Sequence, residues 1–215
     1  MAGRRFGKNV GSEVMEAWDV IVLGDGPAAL HAAAEAAKEG ANTLLMSATG
    51  LGEPGMAPLT GLSASLQESN NRSHREDTIR CGEFLSDQDM VSTTTAKAVK
   101  IVDLLERRGL NFRRDAQGLP MVRKALGHSQ PRNVGAGSTT ARELQQISEE
   151  QCMRHGVIRR GDQIPLTLVH NNQTVTGIIA LDMVNGRLIG LQSKAVIIAD
   201  EGFDGAYTSG ISGLG

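Results

Sequence analysis

Apolar residues first gather at residues 18–23 (WDVIVL), a short β-branched run with glycines directly behind it, the pattern of a buried parallel strand. The period then changes. Residues 27–38 (PAALHAAAEAAK) are dominated by alanine, the strongest helix former, and Gly40 offers a C-cap. Residues 42–46 (NTLLM) give a second short strand, which completes a βαβ unit with a right-handed crossover. Periodicity is then lost over residues 47–65, where Gly, Pro, Ser and Thr predict a long irregular loop. Loops of that length inside a domain usually contact something, the alternative being a disordered surface excursion.

Further along, Val91, Thr94, Ala98, Val102 and Leu105 fall on one face of a helix over residues 89–108, with Ile101 widening the stripe and Gly109 ending it. A second helix is expected to start near Ser138 to Thr140, where Thr140 and Glu143 have capping-box spacing, and to end at Gly156. Its Glu149 and Glu150 read as a solvated face. Residues 164–199 break into short β-rich runs, and Asn185-Gly186 between apolar residues predicts a type I′ hairpin with positive φ at both central positions. The fold class is therefore α/β: a Rossmann-like parallel sheet with flanking helices and an inserted β-hairpin or β-meander. Residues 1–16 are expected to be a flexible arm, and residues 17–215 one domain.

Composition narrows the function. A formal charge of -2 without a dense Lys/Arg block gives no attraction for polyphosphate, so no nucleic-acid partner is expected. Rings come only from Trp18, Tyr207, Phe6, Phe84, Phe112 and Phe203, which leaves the packing to aliphatic side chains. Cys81 and Cys152 belong to no CxxC or Cys/His cluster, so neither a disulfide framework nor a metal site is expected. The basic N-terminus is not followed by the apolar stretch of a signal, and no uncharged run is long enough to cross a bilayer. A cytoplasmic location follows, with any membrane contact made through a partner.

The chemistry lies at residues 24–29, GDGPAA, a match to G-x-G-x-x-G/A. Gly24 makes the tight turn, Gly26 lets a diphosphate approach, and Ala29 sits where helix packs on strand. The turn's free main-chain N–H groups and the helix dipole would bind the phosphates. The fingerprint also wants an acid on the ribose about 20 residues later. Met46, Ser47 and Ala48 stand there instead, so NAD is poorly supported, and FAD, with Ser47 offering a hydroxyl, fits better.

These residues resemble the flavoprotein subunit of the succinate dehydrogenase and fumarate reductase family, which also contains L-aspartate oxidase. Beyond the glycine turn the likeness covers EDTIRCGEFLSDQDMV, LLERRGLNFRRDAQG and VTGIIALDMVNGRLIGLQSKAVIIA. The resemblance implies FAD contacts at Gly24 to Ala28, at Met46 and Ser47, and in the loop at Gly55, Ala57, Thr60 and Gly61. Further contacts are implied at Asp162 to Ile164 and in a late turn from Ala199 to Gly202. An iron–sulfur subunit is the partner it implies.

Departures from the family pattern matter equally. Pro54 takes the place of the histidine that links covalently to flavin, so FAD is expected to be non-covalent. Asp200 and Glu201 bring carboxylates to the late turn, where like charge should weaken diphosphate binding. Ser212-Gly213-Leu214-Gly215 replaces the family's Thr-Gly-Asp-Gly, and no counterpart of the capping domain, with its substrate-binding His and Arg, follows. His128 with Arg123 and Arg132 offers an anion site, though a polar surface loop is the simpler reading. His31, His74, His155 and His170 read as structural or exposed, and no catalytic residue is assigned. Three functions follow: a partial FAD-binding domain unable to turn over dicarboxylates alone, a non-catalytic interaction module that has lost flavin, or an L-aspartate oxidase-like fragment.

Overall fold

A computed structural model describes residues 4–5, 14–49, 59–200 and 202. In chain order these form β1 (Arg4–Arg5), β2 (Val14–Leu23), α1 (Pro27–Lys38), β3 (Thr43–Met46), β4 (Leu62–Ser63), α2 (Asn71–Cys81), α3 (Gln88–Arg107) and β5 (Asn133–Val134). They continue as α4 (Thr140–Arg154), β6 (Ile158–Arg160), β7 (Gln163–Asn171), β8 (Thr174–Asp182) and β9 (Arg187–Ile198). The chain divides into two units, one of Met1–Ala57 with Ser148–Gly215, the other of Pro58–Ile147.

The first unit is built on a sheet in the order β6-β3-β2-β9-β8-β7, with β1 added against the start of β2. Strands β6, β3, β2 and β9 run parallel, and β9, β8 and β7 form the antiparallel meander. Leu23 lies opposite Met46 on one side and Ile198 on the other, so three parallel strands end level, beside the glycine turn. One face carries Val22 and Leu45 against Ala29, Leu30, Ala33 and Ala34 of α1, with Cys152 and Val157 completing the cluster. Small alanines let helix and sheet come close. A second cluster joins Trp18, Ile21, Leu23, Leu44 and Met46 to Ile178, Ala180 and Leu191.

The α/β class with its parallel sheet and meander stands as the pattern predicted, and α1 has the expected bounds. Strand β2 starts earlier than its apolar run because Glu16 and Ala17 pair with Leu191 and Gln192 of β9, while Arg160 donates to the Glu16 carboxylate at 2.6 Å. Strand β6 had no apolar signal. It exists because it pairs with β3, its charges being met by Glu149 on Arg159 (3.3 Å) and Glu16 on Arg160. Glu149 is therefore half-buried in an ion pair and not part of a solvated face, unlike Glu150. The hairpin between β8 and β9 is not type I′: it has four loop residues, and only Gly186 has positive φ (62°). The Asp182 carboxylate accepts from the Val184 and Asn185 amides, which holds Asn185 in an ordinary conformation.

In the second unit α3 begins as an Asp87-capped helix, the Asp87 side chain accepting from the Asp89 and Met90 amides at 2.9 and 3.0 Å. Its buried stripe is Val91, Thr95, Val102 and Leu105. Thr94 is exposed, contrary to expectation, and Ile101 is largely so. Thr95 takes the inner place because its hydroxyl donates back to the Val91 carbonyl (2.9 Å) and is satisfied there. Thr140 does not form a capping box either. It accepts from the Ala136 amide and donates to the Gly137 carbonyl, leaving Thr139 to donate to Glu143 at 2.7 Å.

Helix α2 carried no periodic apolar face, and only His74 and Asp77 of it are buried. It is organised by polar contacts. Asp77 accepts from the Ser129 amide and hydroxyl, both at 2.7 Å, and from the fully buried Arg132, with Arg80 at 3.5 Å. Arg132 is thus a core residue and not the surface anion ligand its neighbourhood in sequence offered.

Candidate functional site

Strand β2 delivers the chain into a turn that only glycine can make. Gly24 has φ +126°, and a Cβ there would stand 2.9 Å from the Ala199 carbonyl carbon and closer still to its oxygen. The turn is pinned on both sides: the Gly24 amide donates to the Met46 carbonyl and the Ala199 amide to the Leu23 carbonyl, each at 2.9 Å. Gly26 then caps α1 with an extended backbone (φ -74°, ψ 170°) and no side-chain cap, and Pro27 occupies the first turn. The Gly26 carbonyl accepts from Leu30, so the helix starts cleanly. Its first amides have no intrahelical acceptor and no capping side chain, which leaves donors and the positive end of the dipole for an anion. These residues fit a diphosphate.

Beside the turn runs a second network. The Thr49 hydroxyl donates to the Asp25 carboxylate, and the Ser47 hydroxyl accepts from the Thr49 amide (3.1 Å) while donating to its carbonyl (2.9 Å). The Ser47 amide donates to Arg160, the Ser47 carbonyl accepts from Gln163, and the Asp162 amide donates to Thr49. Three segments read separately from the sequence, around Asp25, Ser47 and Asp162, are thereby tied together. Thr49, which the sequence reading passed over, is the tie. Its signal was a pair of hydroxyls two residues apart just past a strand end.

The other expected positions divide. Met46 is fully buried in the hydrophobic cluster, so only its backbone meets the turn. Ser47 is buried with its hydroxyl committed to Thr49. Ala28 is exposed at the helix start, and Ile164 is half-buried in β7 opposite Leu181. Gly202 has φ +95° and donates its amide to the Asp200 carbonyl at 2.6 Å. Thr60 and Gly61 belong to the second unit, where a Cβ on Gly61 would meet the Val134 carbonyl at 2.8 Å. Gly55 and Ala57, like Pro54, Glu201 and residues 212–215, lie outside the described residues.

Charge at the turn is negative. Burial, and then the Asp25 carboxylate, push the Asp200 carboxyl above its ordinary value. Cys152 is no nucleophile: burial pushes its thiol up to about 11, and its Sγ donates to the Leu30 carbonyl. Among the described residues no cluster of His, Cys, Asp and Glu could hold a metal ion.

The family model described as "FAD binding domain" matches residues 19–212. The succinate dehydrogenase flavoprotein subunit of Bacillus subtilis is 28% identical over 193 residues, covering 85% of this chain and 33% of that protein. A fumarate reductase flavoprotein subunit of Mycobacterium tuberculosis is 28% identical over 194 residues, covering 86% of this chain and 32% of the other. The chain spans about a third of the length of these relatives. A solved quinol fumarate reductase of E. coli superposes with a TM-score of 0.80 at 24% identity, over 90% of this chain and 34% of that one, a likeness of fold.

Proposed function

We propose, on the premise that this chain belongs to the FAD-binding domain family, that its strand–glycine turn–helix holds the diphosphate of non-covalent FAD. It is the FAD-binding domain of a succinate dehydrogenase/fumarate reductase-type flavoprotein, covering part of its relatives' length. The observation that carries the reading is the uncapped start of α1 behind Gly24 and Gly26. In a complete flavoprotein of this type, bound FAD would accept hydride from succinate.

The residues present would bind and orient. Amides of Gly26, Ala28 and Ala29 would donate to phosphate oxygens, and Gly24 sets the angle at which α1 presents them. The Thr49 tie to Asp25 fixes the floor beside the diphosphate. We assign no residue of this chain to the family's substrate-binding His and Arg, so succinate turnover by this chain alone is not expected.

An iron–sulfur subunit is the partner we propose, since the relatives are themselves named flavoprotein subunits. No described helix is long and apolar enough to cross a membrane, and a cytoplasmic, peripheral location through that partner fits this. A second reading, an interaction module that has lost flavin, is favoured by one feature: the Asp200 carboxyl beside the turn.

Titrating purified protein with FAD while following flavin fluorescence discriminates the two. Saturation at one FAD per chain, with all flavin released on denaturation, is the expected result. A melting temperature unmoved by saturating FAD supports the interaction module instead, because a ligand stabilises only a state it binds. Steady succinate oxidation by the isolated chain would overturn its incompetence.

A further inference from the structure

Two aspartates stand at the glycine turn, near enough for one carboxylate to act on the other. Asp25 follows Gly24 within the turn, and Asp200 follows Ala199, whose carbonyl lies against Gly24. Asp25 accepts a hydrogen bond from the Thr49 hydroxyl. Asp200 is half-buried, and its backbone is fixed by the Gly202 amide on its carbonyl and the Ala199 amide on Leu23. An ionised Asp200 would add a second negative charge beside the turn proposed to hold the diphosphate.

We propose that Asp200 is a specificity-determining residue of the dinucleotide site: a diphosphate settles on the glycine turn together with one proton taken from solvent onto the Asp200 carboxyl. The neutral acid then donates its O–H to a phosphate oxygen that the charged form would repel. This inference rests on the proposed FAD reading. Among the described residues, the charged group shown to act on Asp200 is Asp25. Burial and that neighbour both raise the Asp200 pKa, so the proton is held at a higher pH than an ordinary aspartate would hold it.

One proton taken up on binding means that affinity falls about tenfold per pH unit once Asp200 ionises in the free protein. The test is FAD affinity, measured by flavin fluorescence across pH, for the wild-type chain, Asp200→Asn and Asp25→Asn. The wild type should weaken as pH rises through the Asp200 transition, and Asp200→Asn should bind with a flat profile. Asp25→Asn should move the fall to lower pH, because it removes a charge that holds the proton on Asp200. Riboflavin, which lacks phosphates, should show no such dependence in any variant. A flat wild-type profile with intact FAD binding overturns the proposal and leaves the FAD reading standing. No FAD binding at any pH, in the wild type or Asp200→Asn, overturns both.

Discussion

Around α1 the core of the first unit is aliphatic, Val22, Leu45, Leu30 and three alanines, with almost nothing polar to satisfy. Around α2 the second unit buries a guanidinium and a carboxylate, Arg132 and Asp77, and brings Ser129 and the buried His74 to them. An aliphatic core tolerates changes of shape at a cost set by volume, whereas a buried ion pair tolerates the loss of neither partner. The contrast also decides which parts could be read from sequence. Hydrophobic periodicity reports the first kind of core and is silent about the second.

The largest effect should come from breaking the polar core. Asp77→Asn leaves Arg132 buried without its counter-charge and should cost about 3–5 kcal/mol, measured by denaturant unfolding. The paired change Asp77→Leu with Arg132→Met should recover most of that, and if it does not, the pair contributes more than mutual neutralisation. Leu45→Ala, in the aliphatic core, should cost about 2–5 kcal/mol with no comparable rescue by a charge change elsewhere. Gly24→Ala combines a positive φ with collision against Ala199, so it should cost about 2–3 kcal/mol.

The two regions should also respond to pH with opposite sign. Burial first, and then Arg132 and His128, hold the His74 imidazole below its ordinary 6.5, and burial and Arg132 do the same to His128. Below about pH 6.5 the unfolded chain takes up protons that the folded histidines resist, so the second unit loses stability as pH falls through that range. Asp200 is raised, so its folded form holds a proton that the unfolded chain has lost. Stability from that site therefore falls as pH rises from the ordinary aspartate value through the raised one. Amide exchange followed separately in α2 and α1 across pH 3 to 8 would resolve the two trends. The smallest effect belongs to the turns: Asn172→Gly, at φ +55°, should change stability by less than about 0.5 kcal/mol.

What the sequence revealed follows the same line. The bounds of α1 were legible because alanine, Pro27 and Gly40 agree, and the glycine turn was legible because its strand and helix were. Strand β6 was hidden because Arg159 and Arg160 become acceptable only once Glu149 and Glu16 arrive from elsewhere. Helix α2 was hidden because its organising partner, Arg132, lies more than 50 residues away. At the site, the phosphate-facing turn announced itself through glycines, whereas the Thr49 tie depends on a contact between β3's exit and Asp25 that no local pattern encodes.

Gly26 offers the most direct test of the claim that α1 presents its amides to a diphosphate. Its φ of -74° needs no glycine, so Gly26→Val, taken once it shows a cooperative melting transition, tests the space before the helix without adding backbone strain. The account predicts that saturating FAD raises the melting temperature of the wild type and leaves that of Gly26→Val unmoved. An equal FAD-induced rise in both would contradict it.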